Sequence, residues 1–215
     1  MRRLVTQQHP DWIVLTAAYT DVDGSARNPE LAFAVNGEGA KNVAPVAQEC
    51  GAKFFYLSTD DLFDGTATHP IEPGHPIAPL NVYGQSKAAG EKAIQESHSA
   101  WCIARTSWLF GTSGACFPEK ILRVSESRQE LTVVADQWGS PTFTRDLAGT
   151  IRDLVHANAR GILHVTNAGS CSWFEFAVEI LRQAGRSSIR VLPITTAQAG
   201  RPAKRFHRRA SMPME

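Results

Sequence analysis

The chain has 215 residues and 43% of them are hydrophobic, which suffices for one domain or for a domain with a small second lobe. A formal net charge of +1 gives no bias toward nucleic acid or an anionic membrane, and no apolar run approaches the roughly 20 residues that span a bilayer. The opening MRRLVTQQHPD lacks the apolar stretch of a secretory signal, so we expect a cytoplasmic protein.

Short apolar runs alternate with longer amphipathic ones, which predicts an α/β fold whose mainly parallel sheet is joined by crossover helices. The predicted strands cover 11–18, 53–60, 100–108, 130–137 and 161–168, with a weaker sixth at 189–195. The predicted helices cover 29–50, 83–97, 117–128, 145–157 and 173–184. Asn28 before Pro29 suits a helix N-cap, and Ser172 with Glu175 suits a capping box. A change in strand spacing near residue 140 suggests a division into residues 1–140 and 141–215.

Small and hydroxyl-bearing residues follow the first three predicted strands, in AAYTDVD, LSTDDLFDG and RTSWLFG. Ligands of a parallel sheet bind outside the carboxyl ends of its strands, so these segments are candidates for a site. Serine and threonine at such positions more often cap backbone groups than take part in chemistry. Thr59 therefore gains weight only from the residues around it.

Tyr83 and Lys87 are four residues apart on a predicted helix, so their side chains share a face. A nearby ammonium stabilises the phenolate and lowers the pKa of a tyrosine toward neutrality, which would let the phenol donate a proton to a carbonyl oxygen. A hydroxyl of Ser58 or Thr59 could bind the same oxygen. This chemistry is carbonyl reduction, and its hydride requires a nicotinamide cofactor. An ordinary surface pair on a helix is the alternative.

The Y-x-x-x-K spacing, preceded by LSTD and AAYT, resembles an extended short-chain dehydrogenase/reductase. More narrowly, residues 10 to 200 resemble the dTDP-4-dehydrorhamnose reductase family, which completes dTDP-L-rhamnose synthesis. Seven blocks carry this resemblance in order: AAYTDVD, PELAFAVN, LSTDDLFDG, PLNVYGQSKAAGE, RTSWLFG, DQWGSPT and SWFEFA.

The resemblance implies a Rossmann-like fold, a cofactor that is NADPH or NADH, and a dTDP-4-dehydro-sugar substrate. It makes residues 1–140 part of a dinucleotide-binding domain and residues 141–215 a substrate-binding lobe with a basic tail. It also implies three sets of site residues. The catalytic set is Thr59, Tyr83 and Lys87; the cofactor set is Ala18, Tyr19, Thr20, Tyr83 and Lys87; the substrate set is Thr59, Asp60 and Trp108. A buried structural role is the alternative for Trp108.

Three features depart from the family pattern. The family's glycine-rich G-x-x-G-x-x-G turn, which binds the cofactor pyrophosphate, is absent from the 215 residues, so we expect an incomplete nucleotide half-site and weak dinucleotide binding. Asp61 stands where an aromatic residue is usual, which leaves the substrate's identity less defined. The end of the chain, RFHRRASMPME, is a basic tail that could bind phosphate, although a solvated tail is the simpler interpretation.

A noncatalytic protein of the same fold, which binds a nucleotide sugar or a protein partner, is the second hypothesis for the function. The four cysteines form no C-x-x-C pair, and His69, His75 and His207 have no partners at ligand spacing, so we expect neither a metal site nor disulfides. We expect no nucleic-acid or membrane partner. The sequence is compatible with a homodimer but does not determine the oligomeric state, nor the preference between NADH and NADPH.

Overall fold

A computed structural model describes residues 2–67 and 70–205 of the chain. Its strands are β1 (Trp12–Leu15), β2 (Lys53–Thr59), β3 (Trp101–Thr106), β4 (Leu109–Phe110), β5 (Glu130–Val134), β6 (Trp138–Gly139), β7 (Thr142–Phe143), β8 (Gly161–His164), β9 (Cys171–Ser172) and β10 (Arg190–Ile194). Its α-helices are α1 (Arg2–Gln8), α2 (Val22–Arg27), α3 (Pro29–Ala32), α4 (Gly39–Glu49), α5 (Val82–Ser97), α6 (Phe117–Val124), α7 (Thr144–His156), α8 (Trp173–Gln183) and α9 (Thr196–Ala199).

The main sheet is parallel and has the strand order β1-β2-β3-β8. Helices cover both faces, as expected when parallel strands are joined by crossovers. Phe54 and Tyr56 of β2 pack against α4 and α5, whereas the intervening Phe55 packs with Leu147 of α7. The alternation along β2 thus buries both faces of the strand, and the predicted Rossmann-like fold is confirmed.

A smaller lobe is built on a separate pair of parallel strands. Although 130–137 and 189–195 are strands as predicted, β5 pairs with β10 rather than joining the main sheet. Leu131 and Val133 pack on Ala177 and Leu181 of α8, which closes a second hydrophobic core. The pairs β3–β8 and β5–β10 each join a strand before residue 140 to a strand after it. The division into residues 1–140 and 141–215 remains a prediction.

The five predicted helices are present, and both predicted caps form. The side chain of Asn28 accepts a hydrogen bond from the Leu31 amide, and Ser172 and Glu175 form a capping box. The predicted helix 29–50 is interrupted by a π-helical turn at Phe33–Glu38, which apolar spacing alone did not indicate. Helices α1, α2 and α9 were not predicted. His69 and the tail from residue 206 lie outside the described residues.

Within the described ranges, no helix combines the length and the apolar character needed to cross a membrane.

Candidate active site

The predicted site residues lie around the carboxyl end of β2 and the first turns of α5. Asn81 begins α5, and its side-chain oxygen accepts a hydrogen bond from the Gly84 amide at 2.8 Å. The helix start packs tightly on the strand end, since a Cβ on Gly84 would lie 2.2 Å from the Asp61 carbonyl oxygen. Only glycine permits this approach, which brings Tyr83 and Lys87 next to the end of β2.

Lys87 is 1% exposed, which is unusual for a lysine. Its Nζ donates a hydrogen bond to the Leu57 carbonyl at 2.7 Å and lies 3.9 Å from the centre of the Tyr56 ring, a cation–π contact. Burial lowers the pKa of Lys87 to about 7, while the charge of Glu91 acts in the opposite direction. The ammonium therefore titrates near neutral pH.

Tyr83 lies one turn before Lys87 on the same face of α5 and is half-buried. The Tyr83 side chain also influences Tyr56, which lies in β2. Burial raises the pKa of Tyr56, and the charges of Tyr83 and Glu91 raise it further. Tyr56 thus stays protonated and donates a hydrogen bond to the Asn36 carbonyl at 3.2 Å. Tyr56 is 1% exposed, whereas Tyr83 is only partly buried.

Thr59 is buried at the last position of β2, and its hydroxyl oxygen accepts a hydrogen bond from the Asp61 amide at 3.1 Å. It thereby caps the short 3₁₀ turn Asp60–Leu62, which is the structural role that strand-end threonines often have. The cap uses the oxygen as an acceptor. The hydroxyl group donates a long hydrogen bond to a carboxylate oxygen of Asp60, with 3.5 Å between the two oxygens. This proton can be donated to a ligand instead.

The segment Ala18 to Thr20 follows β1 and is held by a residue that we did not predict. Asn36 accepts a hydrogen bond from the Tyr19 amide at 2.8 Å and donates to the Tyr19 carbonyl at 3.1 Å. The same side chain donates to Ser86 Oγ of α5 at 2.9 Å. Asn36 lies in the π-helical turn, a feature found frequently at functional sites. An asparagine inside an apolar helical pattern was the signal that could have identified it.

Trp108 has a left-handed backbone, with φ +46°, and its ring is stacked on Trp173 with 3.4 Å between ring centroids and 9° between planes. Gly139 lies against the same indole, because a Cβ there would be 2.5 Å from Trp108 Cε2. The Trp108 Nε1 is buried and has no hydrogen-bond partner among the described residues. Trp173 and Gly139 were not predicted as site residues. An uncommon backbone conformation at a bulky residue is a mark of a functional position.

Asp60 and Asp61 are both buried beside Thr59. One carboxylate oxygen of Asp61 accepts a hydrogen bond from Asn81 Nδ2 at 3.1 Å, and the same Nδ2 is 3.2 Å from the Lys204 carbonyl. Asp61, which replaces the family's usual aromatic residue, therefore supports the start of α5.

Unused hydroxyl groups gather at the carboxyl ends of three neighbouring strands. The side-chain oxygens of Ser58, Thr106 and Thr166 are buried and have no hydrogen-bond partner among the described residues. Buried polar groups are normally paired, so these hydroxyls fit a site whose ligand supplies the missing partners. The nicotinamide end of a cofactor suits this edge chemically. By contrast, no group of three or more His, Cys, Asp or Glu residues in the described ranges could hold a metal ion.

Comparison with known proteins identifies the family. The model of the RmlD substrate binding domain matches residues 1–213. The chain belongs to this family. A dTDP-4-dehydrorhamnose reductase of Streptomyces griseus is 39% identical over 211 residues, covering 95% of this chain and 69% of that protein. The spore coat polysaccharide biosynthesis protein SpsK of Bacillus subtilis is 40% identical over 196 residues, covering 91% of this chain and 69% of SpsK.

The structural comparison agrees with the family assignment. A crystal structure of dTDP-4-dehydrorhamnose reductase from Bacillus anthracis in complex with NADP superposes with a TM-score of 0.96 at 41% identity, covering 99% of this chain and 75% of that one. The resemblance seen in the sequence to the dTDP-4-dehydrorhamnose reductases is confirmed. The roles of individual residues in this chain are not tested by the likeness and remain proposals.

Proposed function

We propose that this chain reduces the 4-keto group of a dTDP-4-dehydro-sugar with NADPH or NADH, the reaction that completes dTDP-L-rhamnose synthesis. The observation that carries the proposal is the buried ammonium of Lys87 on the same helix face as Tyr83, at the end of the central strand β2. A lysine is rarely buried without a functional reason, because desolvating its charge is costly. The reductases among its relatives support the same reaction.

In this mechanism Tyr83 is the proton donor. When bound, the nicotinamide supplies a hydride to C4 of the sugar and is itself oxidised. The carbonyl oxygen takes the proton of the Tyr83 phenol, and the 4-keto group becomes an alcohol. Lys87 stabilises the phenolate that remains and binds the nicotinamide ribose, while Thr59 donates a second hydrogen bond to the reacting oxygen.

The remaining proposed contacts divide between the two ligands. Ala18, Tyr19 and Thr20 contact the cofactor, and the double hydrogen bond from Asn36 holds this segment in place. Asp60 and Trp108 contact the nucleotide sugar. We further propose a cytoplasmic enzyme that has no nucleic-acid partner and that forms a homodimer.

Replacing Tyr83 by phenylalanine tests the catalytic assignment. The ring remains and the acidic hydroxyl is lost, so we expect ligand binding to persist while turnover falls by roughly 10²-fold or more. Turnover is measured as oxidation of NADPH, with the nucleotide at millimolar concentration, in the presence of the dTDP-4-dehydro-sugar. Unchanged turnover in Tyr83→Phe would remove Tyr83 from the mechanism. Binding without turnover in the parent chain would instead favour the noncatalytic alternative.

Trp108 can be tested separately through its fluorescence. We expect dTDP-sugar to change the tryptophan emission of the parent chain and to bind at least several-fold more weakly to Trp108→Phe, because the smaller ring loses stacking area and the indole N–H. Trp138→Phe is the matched control, since Trp138 is 39% exposed and lies outside the proposed contacts. Equal affinities of the parent chain and Trp108→Phe would show that Trp108 is only a core residue.

A further inference from the structure

Helix α5 has a buried polar stripe that continues beyond the proposed catalytic pair. Glu91 follows Lys87 by four residues, shares its face and is 2% exposed. Arg105 of β3 is 3% exposed and holds the Glu91 carboxylate with both arms of its guanidinium, Nε to Oε1 at 3.0 Å and Nη2 to Oε2 at 2.7 Å. This is the two-pronged geometry that makes an arginine–carboxylate pair strong.

A buried carboxylate one turn from a buried ammonium would ordinarily form an ion pair with it. Within the described residues Lys87 has no such pair, and both oxygens of Glu91 contact Arg105 instead. The Lys87 ammonium is directed instead at the Leu57 carbonyl and the Tyr56 ring. Glu91 thus acts on Lys87 through its electric field rather than through contact.

The groups around Lys87 come from several elements. Tyr56 of β2 lies beneath the ammonium, and Tyr83 and Glu91 precede and follow Lys87 by four residues on α5. Arg105 of β3 holds Glu91, and His164 of β8 is in register with Arg105. Burial is the main influence that lowers the pKa of Lys87, and the charge of Glu91 is what opposes it. Burial also lowers the pKa of His164, so this histidine is neutral at physiological pH.

Arg105 also fixes the position of the pair. Its Nη1 donates to the Pro73 carbonyl at 3.1 Å, and its guanidinium carbon lies 5.4 Å from the centre of the Phe63 ring. These contacts come from the loop between β2 and α5, so the arginine is bound to that loop as well as to Glu91. The clamp therefore opposes rotation of the carboxylate toward Lys87.

We propose that Glu91, clamped by Arg105, is a positioning residue that keeps Lys87 charged while leaving its ammonium on the Leu57 carbonyl and the Tyr56 ring rather than on the carboxylate. This inference rests on the proposed function and extends it to the support of the proton donor. A carboxylate in direct contact with Lys87 would draw the ammonium away from these two contacts. The absence of a carboxylate would leave the ammonium in an environment that favours its neutral form.

The protonation of Lys87 can be followed directly by NMR titration of ¹³Cε-labelled lysine, because the chain contains six lysines and Lys87→Met identifies the signal. In Glu91→Gln we expect the pKa of Lys87 to fall by about one pH unit, since a stabilising anion is lost and Arg105 remains. In Arg105→Met we expect the opposite, a rise of about one pH unit, because the freed Glu91 pairs with Lys87. An ion pair that does not act on Lys87 would leave the pKa of this lysine unchanged in both variants.

Two further variants keep the test decisive. The double variant Glu91→Gln with Arg105→Met removes both charges of the Glu91–Arg105 pair, so neither is left buried without the other, and it should fold even if a single variant does not. We expect the pKa of Lys87 to fall in it as well. Glu96→Gln, which removes the exposed partner of Lys92 on the same helix, is the control and should leave Lys87 unchanged.

The inference is wrong if the pKa of Lys87 in Glu91→Gln and in the double variant equals that in the parent. It is also wrong if the pKa of Lys87 changes in the same direction in both single variants. If the parent proves to have no reductase activity, the titration still decides the role of Glu91, and only the proposed function fails. If the parent is active, the fall of its turnover at high pH should begin at a lower pH in Glu91→Gln, because Lys87 loses its proton earlier.

Discussion

At the scale of single residues, Lys87 illustrates a buried charge that lowers the stability of the folded protein. Its ammonium has one carbonyl and one aromatic ring as partners, which do not fully replace the water lost on burial. The pKa of Lys87 is about 7 in the folded protein, against 10.5 for an unperturbed lysine. Between these two pH values the unfolded chain binds more protons than the folded chain, so stability increases as the pH rises.

Lys87→Met tests this expectation. The cost of burying the charge is fully present below pH 7 and is gone above about pH 10.5, so the variant should be the more stable protein at pH 7 by on the order of 1 to 3 kcal/mol. The advantage should shrink by pH 9. Urea unfolding of both proteins at the two pH values provides the comparison. A parent chain that is as stable as Lys87→Met at pH 7 would show that the local contacts compensate for burial.

At the scale of elements, residues 201–205 form hydrogen bonds with both α2 and the start of α5. Asp23 of α2 accepts hydrogen bonds from Arg201 at 3.1 Å and Arg205 at 2.9 Å, and the Lys204 carbonyl accepts one from Asn81 at the start of α5. Burial raises the pKa of Asp23, but the charges and hydrogen bonds of Arg205 and Arg201 outweigh it, so the net change is a lowering. The segment thus links α2, which follows the proposed cofactor contacts, to α5, which carries the proposed catalytic pair.

We predict that Asp23→Asn loosens this segment, because the amide cannot bind two guanidinium groups as the carboxylate does. Cleavage by trypsin after Lys204 should become about tenfold faster or more, in proportion to the larger open population. Glu130→Gln, which removes the partner of Arg190 in an exposed ion pair, is the matched control. Equal cleavage of the parent and Asp23→Asn would mean that other contacts hold the segment.

At the scale of the whole molecule, the described residues supply one half of the proposed dinucleotide site more fully than the other. The proposed nicotinamide edge has Tyr83, Lys87 and the unused hydroxyls of β2 and β3. The 215 residues contain no glycine-rich turn that follows a strand and opens a helix, the device that normally binds pyrophosphate through backbone amides. β1 pairs only with β2 within the described ranges and so forms one edge of the main sheet.

We therefore predict that the 215-residue chain binds NADPH and NADH weakly. Losing several hydrogen bonds to a charged group, at roughly 1.5 to 3 kcal/mol each, moves a micromolar affinity to the millimolar range or beyond. Calorimetric titration of the purified chain with each nucleotide measures this. Micromolar affinity for either nucleotide would reveal a pyrophosphate site formed by other residues.

Local pattern was sufficient for much of the fold and for the core of the candidate site. The alternation of apolar runs located all six longer strands, and the caps at Asn28 and Ser172 located two helix starts. Tyr83, Lys87 and either Ser58 or Thr59 could be proposed because strand ends and i,i+4 spacing are properties of short segments, and the family resemblance selected Thr59. Seven motif blocks in order were enough to identify the family.

Only the tertiary structure revealed the residues that support these groups. Asn36 binds the backbone of Tyr19, which is 17 positions away in the sequence. Arg105 binds Glu91, which is 14 positions away, and Trp173 of α8 stacks on Trp108. The pairing of β5 with β10, apart from the main sheet, was likewise not predictable. Periodicity shows which side of a strand or helix is buried, but not which distant segment covers it. Those partners are decided by packing between elements, because a buried polar group must find its hydrogen bonds wherever the fold brings a complementary group near.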